Sequence, residues 1–165
     1  MPIQTSVITT IDAPIDRAFD IAASYAPHEL IKAWGPLPGI VKTDGEAGPW
    51  SHIGQERRHH LSDNSSVREE LTDFTRNYTY AYNLSEFTGT FKSLTRSARA
   101  EWHFTQLAIN RTQIDWTYVF HPNGPLSEQA LWVLVKTCWP GYLRSALSRV
   151  KAKAEAPFRD NAPSM

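Results

Sequence analysis

Two periodicities divide the chain. Between residues 53 and 121 apolar and polar residues alternate with a period of two, the pattern of half-buried strands. This predicts strands over 53–61, 66–74, 77–86, 96–107 and 111–120. After Pro125 the period becomes helical: Leu126, Ala130, Leu131, Leu134, Val135, Cys138, Tyr142, Leu143, Ala146, Leu147 and Val150 form one apolar stripe. A single helix of roughly seven turns, about 45 Å long, follows over 125–156. Arg144, Arg149, Lys151 and Lys153 gather toward its end, where the helix dipole favours them, and Pro140 predicts a kink in mid-pattern. Upstream, the β-branched run 3–11 reads as a strand, and Pro14 opens a helix with Ile15, Ala18, Phe19 and Ala22 on its buried face. A second short helix is expected over His28–Trp34. A Pro- and Gly-rich stretch then holds at most one short strand near Ile40–Thr43.

The links between the later strands are too short for crossovers, so those strands are antiparallel neighbours. The inventory is one strand, two helices, a run of about six antiparallel strands and one long closing helix. An α+β domain over residues 1–156, with a strongly curved sheet of six or seven strands wrapped around the C-terminal helix, satisfies it. Residues 157–165 are expected to be a loose tail.

Alternation also sorts the strand faces. Trp116, Tyr118 and Phe120 share one face, Trp102 and Phe104 another, and Tyr78, Tyr80, Tyr82 and Leu84 a third; these aromatic rows are expected to face the helix. Two strands mix polar groups into that face. The side of 53–61 that carries Ile53 and Leu61 also carries Gln55, Arg57 and His59, and the side of 66–74 with Val67 and Leu71 also carries Glu69 and Asp73. Short turns at 63–65 and 75–76 would pair His59 with Glu69, Arg57 with Leu71, Tyr82 with Glu69 and Tyr80 with Leu71. Arg57, His59, Glu69, Tyr80 and Tyr82 then form one inward patch. A buried charge is costly unless paired, so Glu69 is the expected match for Arg57 and His59.

Composition narrows the classes of function. Lys plus Arg and Asp plus Glu are 17 each, and this balance lacks the basic surplus that a nucleic-acid partner requires. One cysteine, Cys138, excludes an internal disulfide and agrees with a reducing compartment. Neither a signal-peptide pattern nor an 18-residue apolar run is present, so a cytoplasmic protein without a membrane span is expected. The six histidines have no metal-ligand spacing; His59 and His60 are adjacent on a strand and point to opposite faces, and no metal or other cofactor is expected. No Ser/His/Asp elbow, phosphate loop or dinucleotide fingerprint occurs.

The segments TTIDAPIDRAFDIAAS, IGQERRHH, SSVREELTDF, NYTYAYNL and TQIDWTYVFHPNG, taken in order with the final helix, resemble the START-like helix-grip superfamily, and within it the polyketide cyclase/dehydrase-like branch. The likeness runs from about residue 3 to 155. It implies a hydrophobic cavity between sheet and helix for a lipid, a polyketide or another apolar molecule. Such folds serve carriers, receptors and enzymes alike, so the fold does not choose among them.

Three functions stay open. In the first, the chain binds a small apolar or aromatic ligand, with Arg57 as a polar anchor and Tyr78, Tyr80, Trp102, Phe104, Trp116, Tyr118, Leu134, Cys138 and Tyr142 as the wall. In the second it is a cyclase, aromatase or dehydratase with His59, Glu69 and Tyr82 moving protons. The third is a protein-interaction module. The inward polar patch reads equally as a solvated rim at the sheet's open edge. Trp132 and Trp139 on the long helix leave monomer and homodimer both open.

Overall fold

The computed structural model describes residues 1–24, 26–45 and 48–157. Seven strands form one antiparallel sheet: β1 (Ile3–Ile11), β2 (Ile40–Gly45), β3 (Glu56–Leu61), β4 (Ser66–Thr75), β5 (Thr79–Ser85), β6 (Thr95–Ala108) and β7 (Arg111–Pro122). Their order is β1-β7-β6-β5-β4-β3-β2, so the first strand closes beside the last, from Ile3 opposite Phe120 to Ile11 opposite Thr112. The helices are α1 (Ile15–Ser24), α2 (Pro27–Leu30), α3 (Thr90–Leu94), α4 (Pro125–Thr137) and α5 (Trp139–Glu155). The core lies between the concave face of the sheet and α1, α4 and α5. This is the α+β helix-grip architecture that the two periodicities predict.

The C-terminal helix is two abutting segments rather than one kinked rod. The break falls at Cys138 (φ −103°, ψ −38°), two residues before Pro140. Proline's missing N–H removes nothing in the first turn of a helix, so ending one segment and starting another accommodates it better than a mid-helix kink. The stripe also splits. Leu131 and Val135 of α4 and Leu143, Ala146, Leu147 and Val150 of α5 are buried, whereas Leu126 and Ala130 in the first turns of α4 are exposed. The second predicted helix shrinks to one turn: the chain leaves it at Ile31 and makes a tight Trp34–Leu37 bridge around Gly35 (φ +54°). The one-turn α3 has no counterpart in the sequence pattern. The tail from residue 158 onward lies outside the described residues.

The strand registers differ from the predicted ones by two residues up to Leu71 and by three beyond it. The β3–β4 loop is residues 62–65, with Asn64 left-handed at φ 65° and Leu61 N–H donating to Ser65 O over 2.8 Å. That places His59 opposite Val67 and Arg57 opposite Glu69. The β4–β5 loop is residues 76–78, with Asn77 at φ 64°, and it places Leu71 opposite Tyr82 and Phe74 opposite Tyr80. For Arg57, His59, Glu69 and Tyr82 the slip is two residues, and a slip of two preserves the face each side chain takes. In the β4–β5 pair parity changes at Thr72, where one extra residue bulges out of β4 between Leu71 and Asp73. Beyond it Asp73 turns to the outer face, where Arg99 reaches it at 2.7 Å. Phe74 turns inward, edge-on to Phe19 at 5.6 Å. The inward placement expected for Asp73 is thereby corrected.

Candidate functional site

A cavity of about 120 Å³ lies between the concave sheet face and α5. One wall is aromatic. Alternation along β5, β6 and β7 turns Tyr80, Tyr82, Trp102, Trp116 and Tyr118 inward, and they line it together. Trp102 and Trp116 stack at 4.1 Å, and Tyr80 lies over Trp102 at 5.4 Å. The opposite wall comes from α5: Trp139, Tyr142, Leu143, Ala146 and Val150, at the spacing of one helix face. The segment between α2 and β2 passes across α5 and adds Ile31 and Pro38. Tyr142 donates its hydroxyl to Pro38 O at 2.5 Å. The Trp34 ring sits so close to Gly141 that a methyl group there would lie 2.3 Å from it.

The polar end is built on β3 and β4. His59 is 2 % exposed and Glu69 7 %; His59 Nε2 and Glu69 Oε2 are 2.5 Å apart, and His59 Nδ1 meets the Thr43 hydroxyl of β2 at 2.9 Å. Arg57, directly across from Glu69, is also buried. Its guanidinium lies 3.7 Å from the centre of the Trp50 ring, a cation–π contact, and donates to Gly48 O at 2.9 Å. Gln55 holds Trp50 in place: its Nε2 donates to Pro49 O at 3.1 Å and its Oε1 accepts from Ser51 N–H at 3.0 Å. Burial pulls the Arg57 pKa down, and the neighbouring Glu69 charge opposes this.

The phenols form a second cluster. Trp102 Nε1–H donates to the Tyr82 hydroxyl at 3.4 Å, and the Tyr82 and Tyr118 hydroxyls are 3.4 Å apart. Trp116 Nε1–H also acts on Tyr82, yet it makes no hydrogen bond of ordinary geometry; Trp139 Nε1–H likewise has none among the described residues. Burial first, and the Glu69 charge with it, hold Tyr82 well above the usual phenol range. Tyr80 and Tyr118 are raised by burial and by their charged and phenolic neighbours, and Tyr142 is raised mainly by burial. The cavity therefore presents neutral hydroxyls and indole N–H groups beside the Arg57 guanidinium and the His59–Glu69 contact.

Of the residues expected at the site, Arg57, His59, Glu69, Tyr80, Tyr82, Trp102, Trp116, Tyr118 and Tyr142 meet around this cavity. Four do not. Tyr78 is 63 % exposed and sits edge-on to His103, because it belongs to the β4–β5 loop and not to the strand. Phe104 is buried beside Phe19 at 4.9 Å, in the core beyond the cavity. Leu134 and Cys138 pack on the core at the helix break without lining the cavity. Ile53, placed inward by alternation, is exposed because β3 begins only at Glu56. Trp50 and Thr43 are the partners that sequence reasoning missed. Trp50 stands in an irregular Pro- and Gly-rich stretch where no period assigns a face, and Thr43 acts across strands that only the register reveals.

The family model described as polyketide cyclase/dehydrase and lipid transport matches residues 2–155. Among solved structures, an aromatase/cyclase from Streptomyces superposes with a TM-score of 0.68 at 16 % identity, over 94 % of this chain and 94 % of that one. Ginseng major latex-like protein 151 from Panax ginseng gives 0.67 at 15 % identity, over 95 % and 99 %. A protein from Chromobacterium violaceum gives 0.63 at 9 % identity, over 93 % and 98 %. At these identities the likeness is one of fold. No curated protein matches the sequence.

Proposed function

This chain belongs to the polyketide cyclase/dehydrase and lipid transport family, and from that premise we propose that it binds a small hydrophobic or aromatic molecule between the curved sheet and α5. The observation that carries the reading is the cavity itself: aromatic and aliphatic walls closed at one end by the buried Arg57, His59 and Glu69. A mostly apolar pocket with a few convergent polar groups is the usual form of a small-molecule site. A core designed only for stability gains nothing from buried charged and polar side chains at the edge of a void, since well-packed apolar residues do as well or better there. The test is a thermal-shift panel of fatty acids, flavonoids and substituted aromatic molecules. Binding raises the melting temperature by mass action, and no shift across the panel would sink the reading.

A second reading is enzymatic, and the contact between His59 and Glu69 at 2.5 Å favours it. A carboxylate that orients an imidazole, beside phenols held in the neutral form, is a workable set of proton donors and acceptors for cyclisation or dehydration. His59→Ala and Glu69→Ala would then abolish turnover of a polyketide-like substrate while leaving most of its affinity. Turnover that survives both substitutions eliminates this reading and leaves the first intact.

A further inference from the structure

The size of the cavity and the hydrogen-bond inventory of its wall define its occupant more narrowly than the fold does. The space of about 120 Å³ is close to that of the engineered apolar cavity of about 150 Å³ that takes up benzene, and well below the roughly 300 Å³ at which sites for larger ligands begin. It holds one six-membered ring with a short substituent.

The hydrogens do not balance. Tyr82 O–H, Tyr118 O–H, Trp102 N–H and Trp116 N–H meet at one spot, and the only oxygens among those four side chains are the two phenolic ones. Trp102 N–H goes to Tyr82, and the Tyr82–Tyr118 contact uses one of the two phenolic hydrogens. Among the described residues Trp116 N–H has no hydrogen-bond partner, and the two contacts of the phenols use only one of their two hydrogens. Buried donors normally find partners, so the missing partner here is an acceptor atom on the ligand. Its charge is also constrained. Glu69 lies on the same wall, and its field acts on both Tyr82 and Tyr118. Arg57 faces Glu69 across the strands and is engaged with Trp50 and Gly48. A second negative charge at the phenols would meet the Glu69 field, which already acts on both of them, among buried side chains that screen it little.

We propose that the cavity takes a single neutral aromatic ring carrying a carbonyl oxygen, the ring against Trp102 and Trp116 and the oxygen at the Tyr82–Tyr118 pair. This rests on the reading of the cavity as a ligand site. It goes beyond that reading by fixing ring count, charge and the acceptor atom.

Titration calorimetry on the full chain tests it with five probes: acetophenone, ethylbenzene, benzoate, methyl 2-naphthyl ketone and palmitate. Acetophenone binds at least tenfold more tightly than each of the others. Ethylbenzene lacks only the oxygen, benzoate adds the charge, and the naphthyl ketone adds the second ring. In Tyr82→Phe the advantage of acetophenone over ethylbenzene falls to threefold or less while ethylbenzene affinity is unchanged. Equal binding of ethylbenzene overturns the acceptor argument, and tighter benzoate overturns the charge argument. A naphthyl ketone or palmitate that binds as well as acetophenone overturns the size argument while leaving a ligand-binding protein. Binding by none of the five, together with a silent thermal-shift panel, overturns both readings. Should Tyr82→Phe fail to fold, the acetophenone-to-ethylbenzene ratio in the unmodified protein decides alone.

Discussion

The two halves of the concave sheet face solve the problem of burial in opposite ways. On β6 and β7, Trp102, Phe104, Ile114, Trp116 and Phe120 interlock, and each is held by area and ring contacts from several sides. On β3 and β4 and just before β3, Gln55, Arg57, His59 and Glu69 are as deeply buried, yet each depends on particular partners: Gln55 on the Pro49–Ser51 loop, Arg57 on Trp50 and Glu69, His59 on Thr43 and Glu69. Apolar burial is non-directional, so the first half fails locally and in proportion to the volume removed. The second half fails as a set, because removing one member strands the charge of another. Non-directional apolar packing is therefore concentrated on one side of the cavity and buried charge on the other.

That contrast can be broken most severely at Trp116. Trp116→Ala leaves a large void among stacked rings and costs about 3–5 kcal/mol, read from urea unfolding. Next comes Glu69→Ala, which buries Arg57 without its counter-charge and costs about 3 kcal/mol. Exchanging the whole set (Arg57→Met, His59→Leu, Glu69→Leu) restores most of that loss, and the same unfolding curves show it. If the triple variant stays as unstable as the single one, the polar half is not the self-contained unit described above.

Alkaline pH probes the rim where the halves meet. Tyr80, Tyr82 and Tyr118 all hold their protons above the ordinary phenol value of 10.0. The folded state thus binds more protons than the unfolded chain once the pH passes about 10, and stability falls as pH rises beyond that point. Below it these phenols contribute no pH dependence. Melting temperatures followed from pH 8 to 11 test the sign. The smallest effect is expected at Tyr78, whose ring lies outside both halves: Tyr78→Ala changes stability by less than about 0.5 kcal/mol and leaves ligand affinity unchanged.

The sequence made the architecture and most of the cavity wall legible because both rest on periodicity. Arg57, His59, Glu69, Tyr80, Tyr82, Trp102 and Trp116 sit on the side their parity assigns, although the predicted β3–β4 and β4–β5 pairings were displaced. A displacement of two residues costs nothing in parity, which is why the patch was found despite the wrong partners. Where parity itself changes, periodicity gives no warning. The run Leu71-Thr72-Asp73-Phe74 fits either reading until the bulge at Thr72 is seen. Tyr78 continues the tyrosine alternation of β5 but belongs to the loop, which closes with the left-handed Asn77. Trp50 and the Trp34–Gly141 contact depend on segments brought together from far apart in the chain, and no local pattern encodes them.

The distribution of tryptophans has an optical consequence. Of the six, Trp50, Trp102, Trp116 and Trp139 line the cavity, while Trp34 and Trp132 do not. Trp102 and Trp116 are close enough, at 4.1 Å between ring centres, for their electronic transitions to couple. Occupancy of the cavity is thus written into the emission and near-ultraviolet dichroism of four indoles, with two more outside the lining. The molecule carries its own reporter of filling and emptying, with no label attached.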